Sequence, residues 1–244
     1  MSHEIGDVRS LTAEQRFVPL SVVKSITHEN VPEQRTHEWF KIRKEHNGRK
    51  GMSSSQFGSL FFIKDADDFR FRYSVLFEGQ KDPPDARGLK CMQWGTDNEH
   101  RALMAWLEKH PNMIVTDAAF TVGSSGIAAS PDGYYICQDK MGCIEIKCPY
   151  GKSDKSHPAH TKPVWYYVSQ MHCHMHVSGM DNCIFISWGT NTVRSWMIPF
   201  CSHFFQLMLN LKESFLAQNY ELFLHDREKL REEAEKIVNE AVLI

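Results

Sequence analysis

Asp132, Glu145 and Lys147 are the residues whose types and spacing could do chemistry. Asp132 sits in a Pro-Asp-Gly turn, and Cys143-Ile144-Glu145-Ile146-Lys147-Cys148 beyond it reads as a strand. Residues i and i+2 of a strand share a face, so Glu145 stands beside Lys147 while Ile144 and Ile146 turn to the other side. Charged residues are depleted in strands and rarely buried unpaired. An acid and a lysine backed by an aliphatic face therefore call for a partner, and a divalent metal supplies one. Mg²⁺ takes hard oxygen ligands, commonly one or two carboxylates with substrate phosphate and waters. Asp132 and Glu145, joined by a hairpin, match that donor set. Lys147 beside the metal could orient or help deprotonate a water and screen phosphate charge. Taken alone, the same residues make an ordinary turn and a solvated ion pair equally well.

The wider pattern decides between these. Ser130-Pro131-Asp132-Gly133 followed by Ile144-Glu145-Ile146-Lys147-Cys148-Pro149 is similar to the signature of the PD-(D/E)xK nucleases. Within them it resembles the lambda-exonuclease branch, the YqaJ-type viral recombinases. Further motifs of that branch occur in order: Trp39-Phe40-Lys41-Ile42-Arg43, then Gly51-Met52-Ser53-Ser54-Ser55, Trp94-Gly95 with Glu99, and Tyr166 to Gln170. The resemblance spans about Gln34 to Met197, and ordered co-occurrence is more specific than any single motif.

What the resemblance implies is definite. The fold is α/β, a restriction-endonuclease-like PD-(D/E)xK core with a mixed central sheet flanked by helices. Residues 34–199 form the exonuclease core, 1–33 a polar segment with a packing helix, and 200–244 C-terminal helices of the same domain. Mg²⁺, with Mn²⁺ as a substitute, is held by Asp132, Glu145 and the main-chain carbonyl of Ile146. Glu99, Lys147 and Gln170 complete the catalytic set, Glu99 as an acid near the metal and Gln170 positioning the water or the scissile phosphate. Arg43 and Ser55 bind the terminal 5′ phosphate, a role that suits the bidentate guanidinium. The implied activity is 5′-to-3′ digestion of linear duplex DNA, leaving 3′ single strands for recombination or viral genome processing. Implied partners are double-stranded DNA ends, a single-strand annealing protein and a homotrimeric assembly. A PD-(D/E)xK endonuclease and a catalytically silent DNA-binding module remain the alternatives, the intact Asp, Glu and Lys arguing against the second.

Composition narrows the setting. A chain of 244 residues, 42% hydrophobic, supports one sizeable core. Its net charge of −2 excludes coating nucleic acid through global basicity, so attraction to DNA must be local. The densest positive patch is Lys41, Arg43, Lys44, Arg49 and Lys50, and most such runs are solvated helix faces. Seven irregularly spaced cysteines do not make a secreted disulfide framework. With no apolar signal core or membrane-length run, a soluble intracellular protein is expected.

The periodicity predicts the elements that position the site. Thr12 and Gln15 form a capping box for a first helix carrying Val18, Val22, Val23 and Ile26. Helices are expected over 33–46, 52–60, 65–78 and 94–109. Glu99 then lies in early turns of the last of these, where the helix dipole alone favours a carboxylate. Strands follow over 114–122, 127–129, 134–137 and 143–148, then a helix over 163–177, strands over 183–188 and 193–198, and helices over 200–217 and 220–242. His172, His174 and His176 invite a zinc reading, but on a helix residues two apart diverge. The cysteines flanking Glu145 and Lys147 lack cluster-binding spacing and read as small buried apolar residues.

Overall fold

The computed structural model describes residues 8–19, 36–48, 51–151, 157–189 and 192–244. Thr12 and Gln15 do exchange hydrogen bonds, Gln15 N–H to Thr12 Oγ1 at 3.3 Å and Thr12 N–H to Gln15 Oε1 at 2.9 Å. What they cap is a single 3₁₀ turn, Glu14–Arg16, and the chain then extends as strand β1, Phe17–Val18. The expected helix fails here because Arg16 is drawn inward. Its guanidinium donates to Leu107 O and His110 O at 2.7 Å each, closing carbonyls at the end of a later helix. Val22, Val23 and Ile26 lie outside the described residues.

Next come helix α1, His37–Gly48, strand β2, Met52–Ser53, and helices α2, Ser54–Leu60, and α3, Ala66–Phe77. Helix α4 runs Ala86–Lys109 and is longer than the periodicity predicts, since Asp85 accepts from Gly88 N–H and caps it upstream. Glu99 is therefore in mid-helix, beyond the reach of the N-terminal dipole, and that bland account of it falls away. The expected strand over 114–122 is two, β3, Ile114–Thr116, and β4, Thr121–Val122. They are followed by β5, Ile127–Ala129, β6, Gly133–Cys137, and β7, Lys140–Lys147. Helix α5, Trp165–Ser178, leads to β8, Asn182–Gly189, and β9, Thr192–Pro199. Helices α6, Ser202–Leu216, and α7, Tyr220–Glu240, precede β10, Val242–Leu243. Helix α7 thus stops short of Val242, because the Val-Leu pair joins the edge of β9 instead.

The main sheet has seven strands in the order β1-β3-β6-β7-β8-β9-β10, and β2-β5-β4 form a second, smaller one. β7 and β8 are parallel, while β6 and β9 flank them antiparallel, so the sheet is mixed as expected. Strand alternation divides the core. Ile144, Ile146, Ile184 and Ile186 pack with Leu103, Trp106 and Leu107 of α4 on one face. Cys143, Cys183 and Phe185 pack with α5, α6 and α7 on the other. Glu145 shares that second face and lies beneath α5, fully buried.

His172 ties α5 to the start of α6. Its Nδ1–H donates to Val168 O at 2.9 Å, and Cys201 N–H donates to its Nε2 at 3.1 Å. Burial lowers its pKa from the ordinary 6.5 to about 4. Its stabilising contribution should be complete above about pH 6.5 and lost as pH falls towards 4. At 1.36 kcal/mol per unit that is up to about 3 kcal/mol. Urea melts at pH 7 and 4.5 should show a steeper loss for the wild type than for His172→Gln. Equal losses would show that this histidine does not link folding to protons.

Candidate active site

The carboxyl end of β7 is where the expected residues meet. Asp132 N–H donates to Ile144 O at 3.0 Å, and Ile146 N–H donates back to Asp132 Oδ2 at 2.6 Å. The side chain thereby continues the ladder one step beyond Gly133, which pairs with Ile144. In an extended strand the N–H and C=O of one residue point to the same neighbour. The carbonyl of Ile146 therefore faces the side on which Asp132 stands.

Glu145 is held from two directions. One carboxylate oxygen is bonded to Lys147 Nζ, and the other accepts from His174 Nε2–H at 2.8 Å. Lys147 also lies 4.9 Å from the centre of the Tyr167 ring. Burial pushes the Asp132 carboxyl well above the usual carboxylate range, and the charges of Glu145 and Glu99 add to the shift. For Glu145 burial acts the same way but is outweighed by Lys147 and His174, which hold it below its ordinary value. Burial opposes the charge of Lys147, yet Glu145 and Asp132 raise its pKa and keep it an ammonium. Asp132 and Glu145 thus stand together beside Lys147, with the charge of Glu99 also felt at Asp132. These hard oxygen donors suit a small divalent ion. Among the described residues no three His, Cys, Asp or Glu side chains form a closed metal cage. An ion here would rely on Asp132, Glu145 and main-chain oxygen.

Two cavities adjoin at this point and share Ser55 and Asp132. The larger, about 650 Å³, is also lined by Glu99, Ile146, Lys147 and Tyr167. The smaller, about 170 Å³, is also lined by Trp39, Arg43, Phe120 and Gln170. The guanidinium carbon of Arg43 lies over Trp39, 4.2 Å from the ring centre, with Phe120 at 5.9 Å. Burial there lowers its pKa. Of the three serines, Ser53 bonds Gln56 Oε1 through its N–H and hydroxyl, at 2.6 and 2.9 Å, and Ser54 is buried. Ser55 is the one exposed, at the junction of both cavities. Glu145 lines neither cavity and sits behind them. Lys41 and Lys44 are on the exposed side of α1, Lys41 pairing with Glu38, whereas Arg49 and Lys50 lie outside the described residues.

The three histidines have separate partners, so they form no zinc site: His172 as described, His174 on Glu145, and His176 within 3.3 Å of Ser125 Oγ. His174 is a residue whose role sequence reasoning missed, and its spacing was only a partial signal, since the contact with Glu145 depends on which sheet face α5 covers. His174 lies one helical turn beyond Gln170 and so shares that residue's face of α5.

A mixed sheet with an aspartate at the end of one strand, Glu-x-Lys on the next, and helices covering both faces is the PD-(D/E)xK nuclease fold. Residues 38–181 match the YqaJ-like viral recombinase domain, and the chain belongs to that family. The structure of LHK-Exo, an alkaline exonuclease from Laribacter hongkongensis, superposes with a TM-score of 0.54 at 24% identity, covering 83% of this chain and 100% of that one. LHK-Exo in complex with dAMP gives 25% identity with the same TM-score and coverage. No protein of curated function matches the chain. Among the described residues no helix is long and apolar enough to cross a membrane.

Proposed function

We propose that this protein is a Mg²⁺-dependent exonuclease that digests the 5′-ended strand of linear duplex DNA and leaves 3′ single strands for annealing or genome processing. The observation that carries the reading is the pair of adjoining cavities, one bearing an aromatic-backed arginine and the other Glu99, Asp132 and Lys147, joined through Ser55 and Asp132. An exonuclease as structural neighbour, seen with dAMP, supports it.

In this reading Arg43 and Ser55 take the terminal 5′ phosphate, Arg43 offering a planar fork of donors whose outer face is stiffened by Trp39. The next phosphodiester then falls beside Asp132 and Lys147. Asp132 and Glu145, with the carbonyl of Ile146, would hold Mg²⁺, or Mn²⁺ in its place, which lowers the pKa of water and stabilises charge on the phosphate. Lys147, held as an ammonium, neutralises developing charge and orients the nucleophile rather than accepting its proton. Glu99 adds a carboxylate at the pocket wall. Gln170 places amide donors between end capture and reaction.

Linear duplexes labelled separately at the 5′ and 3′ ends should lose the 5′ label first with Mg²⁺ and neither label with chelator. Release of the 3′ label first, or cleavage of closed circular DNA at comparable rate, would overturn the polarity or the end requirement.

A further inference from the structure

His160, in the segment before α5, lines the larger cavity and plays no part in the mechanism above. Two strands, β8 and β9, combine to hold it. Its main-chain N–H donates to Ser187 Oγ at 2.9 Å, and its ring Nδ1 lies 2.8 Å from the same oxygen. Its carbonyl accepts from Arg194 Nη1 at 3.2 Å. Ser187 is the β8 partner of Lys147 on one side and of Arg194 on the other, so this fixation occupies one row across the sheet. The ring is also set edge-on to Tyr167.

Hydrogen counting assigns the tautomer. Ser187 is fully buried and its hydroxyl has one proton. The oxygen already accepts from the His160 main chain, and His160 Nδ1 is its hydrogen-bonding acceptor among the described residues. If Nδ1 carried the proton, the buried hydroxyl proton would have no acceptor, an arrangement native structures avoid. The hydroxyl therefore donates to Nδ1, and the imidazole carries its own proton on Nε2. Nε2 has no protein partner among the described residues and is not sealed from solvent. Burial lowers the pKa of the ring, and the neighbouring His157 and Lys147 act in the same direction.

We infer that His160 is a further catalytic residue, its Nε2–H donating to a non-bridging oxygen of the DNA phosphate that Lys147 neutralises. The inference rests on the reading of this cavity as the reaction site. A neutral donor adds a directional bond to the phosphate without the undirected grip of a second cation, which would also retain product.

Two substitutions separate this role from simple anchoring of the segment. In His160→Asn the side-chain oxygen takes the place of Nδ1 and keeps Ser187 satisfied, but the distal donor is gone. In His160→Gln an amide N–H reaches the position of Nε2 while the bond to Ser187 is lost. Measured as kcat on 5′-phosphorylated duplex, with KM and melting temperature alongside, His160→Asn should fall roughly 10- to 100-fold with its melting temperature kept. His160→Gln should exceed it by more than about threefold, on the same reasoning about the donor. Equal rates for the two variants, or a faster His160→Asn, overturn the inference. Asp132→Asn, run in parallel, tests the cavity itself. If it keeps wild-type turnover the proposed reaction site is wrong, whereas an inactive Asp132→Asn with indistinguishable His160 variants removes His160 alone.

Discussion

Asp132→Asn should fold, bind duplex DNA and turn over roughly 10³-fold more slowly than the wild type, since charge stabilisation at the phosphate is lost while shape is kept. The amide oxygen can still accept from Ile146 N–H, so the end of β6 remains laced to β7. Removing a carboxylate whose ionisation is already opposed by burial, Glu145 and Glu99 should leave the melting temperature unchanged or raise it. Glu145 is a less clean target. Truncating it to Ala strips both Lys147 and His174 of their partner, and breaking such a buried pair costs about 3–5 kcal/mol. Lost activity in that variant would mix chemistry with folding. Initial rates at saturating Mg²⁺, with fluorescence anisotropy for DNA affinity, check the Asp132 result. Turnover within tenfold of wild type would exclude Asp132 from the chemistry.

Arg43→Ala carries the second large effect, and it should depend on the substrate's end. With a 5′-phosphorylated duplex the loss of a charge-assisted contact worth about 1.5–3 kcal/mol slows digestion roughly 10- to 100-fold. A 5′-hydroxyl duplex never makes the contact and should be digested by the variant about as fast as by the wild type. Arg43→Lys should recover little, because an ammonium neither forks onto a phosphate nor has a planar face to set against Trp39, whose ring centre is 4.2 Å from the guanidinium carbon. Lys41→Ala, on the exposed side of α1, should weaken both substrates modestly and alike, and less at high salt. Equal losses on both duplexes for Arg43→Ala would make it a general backbone contact.

The local geometry of the candidate site was legible because its residues are close in sequence or fixed by strand alternation. The hairpin placed Asp132 against the Glu-x-Lys strand, and the period of two put Glu145 and Lys147 on one face with Ile144 and Ile146 on the other. The surroundings of Glu145 were not legible. That it is sealed under α5 and latched by His174 depends on which sheet face the helix covers, a tertiary fact that no spacing encodes. His160 was invisible for a similar reason, since its orientation comes from Ser187 and Arg194 on later strands. At the chain ends, local signals misled. The Thr12–Gln15 box was real but capped one turn, because Arg16 reaches carbonyls around Leu107. The aliphatic tail read as helix until an open strand edge was available to Val242 and Leu243.

Helix α5 contributes to everything described at the site: Gln170 to the smaller cavity, Tyr166 and Tyr167 to the larger, and His174 to the carboxylate behind them. Each residue added to a helix turns all that follow by about 100°. A single-residue insertion early in α5 would therefore misdirect several of these groups at once, while leaving the helix itself intact. The exposed stretch from Gly79 to Pro84, ahead of the Asp85 cap of α4, lines neither cavity and can vary in length with little cost. Among members of this family, length differences should collect there and be absent from α5, and a library of random in-frame insertions should recover active clones in the same uneven pattern.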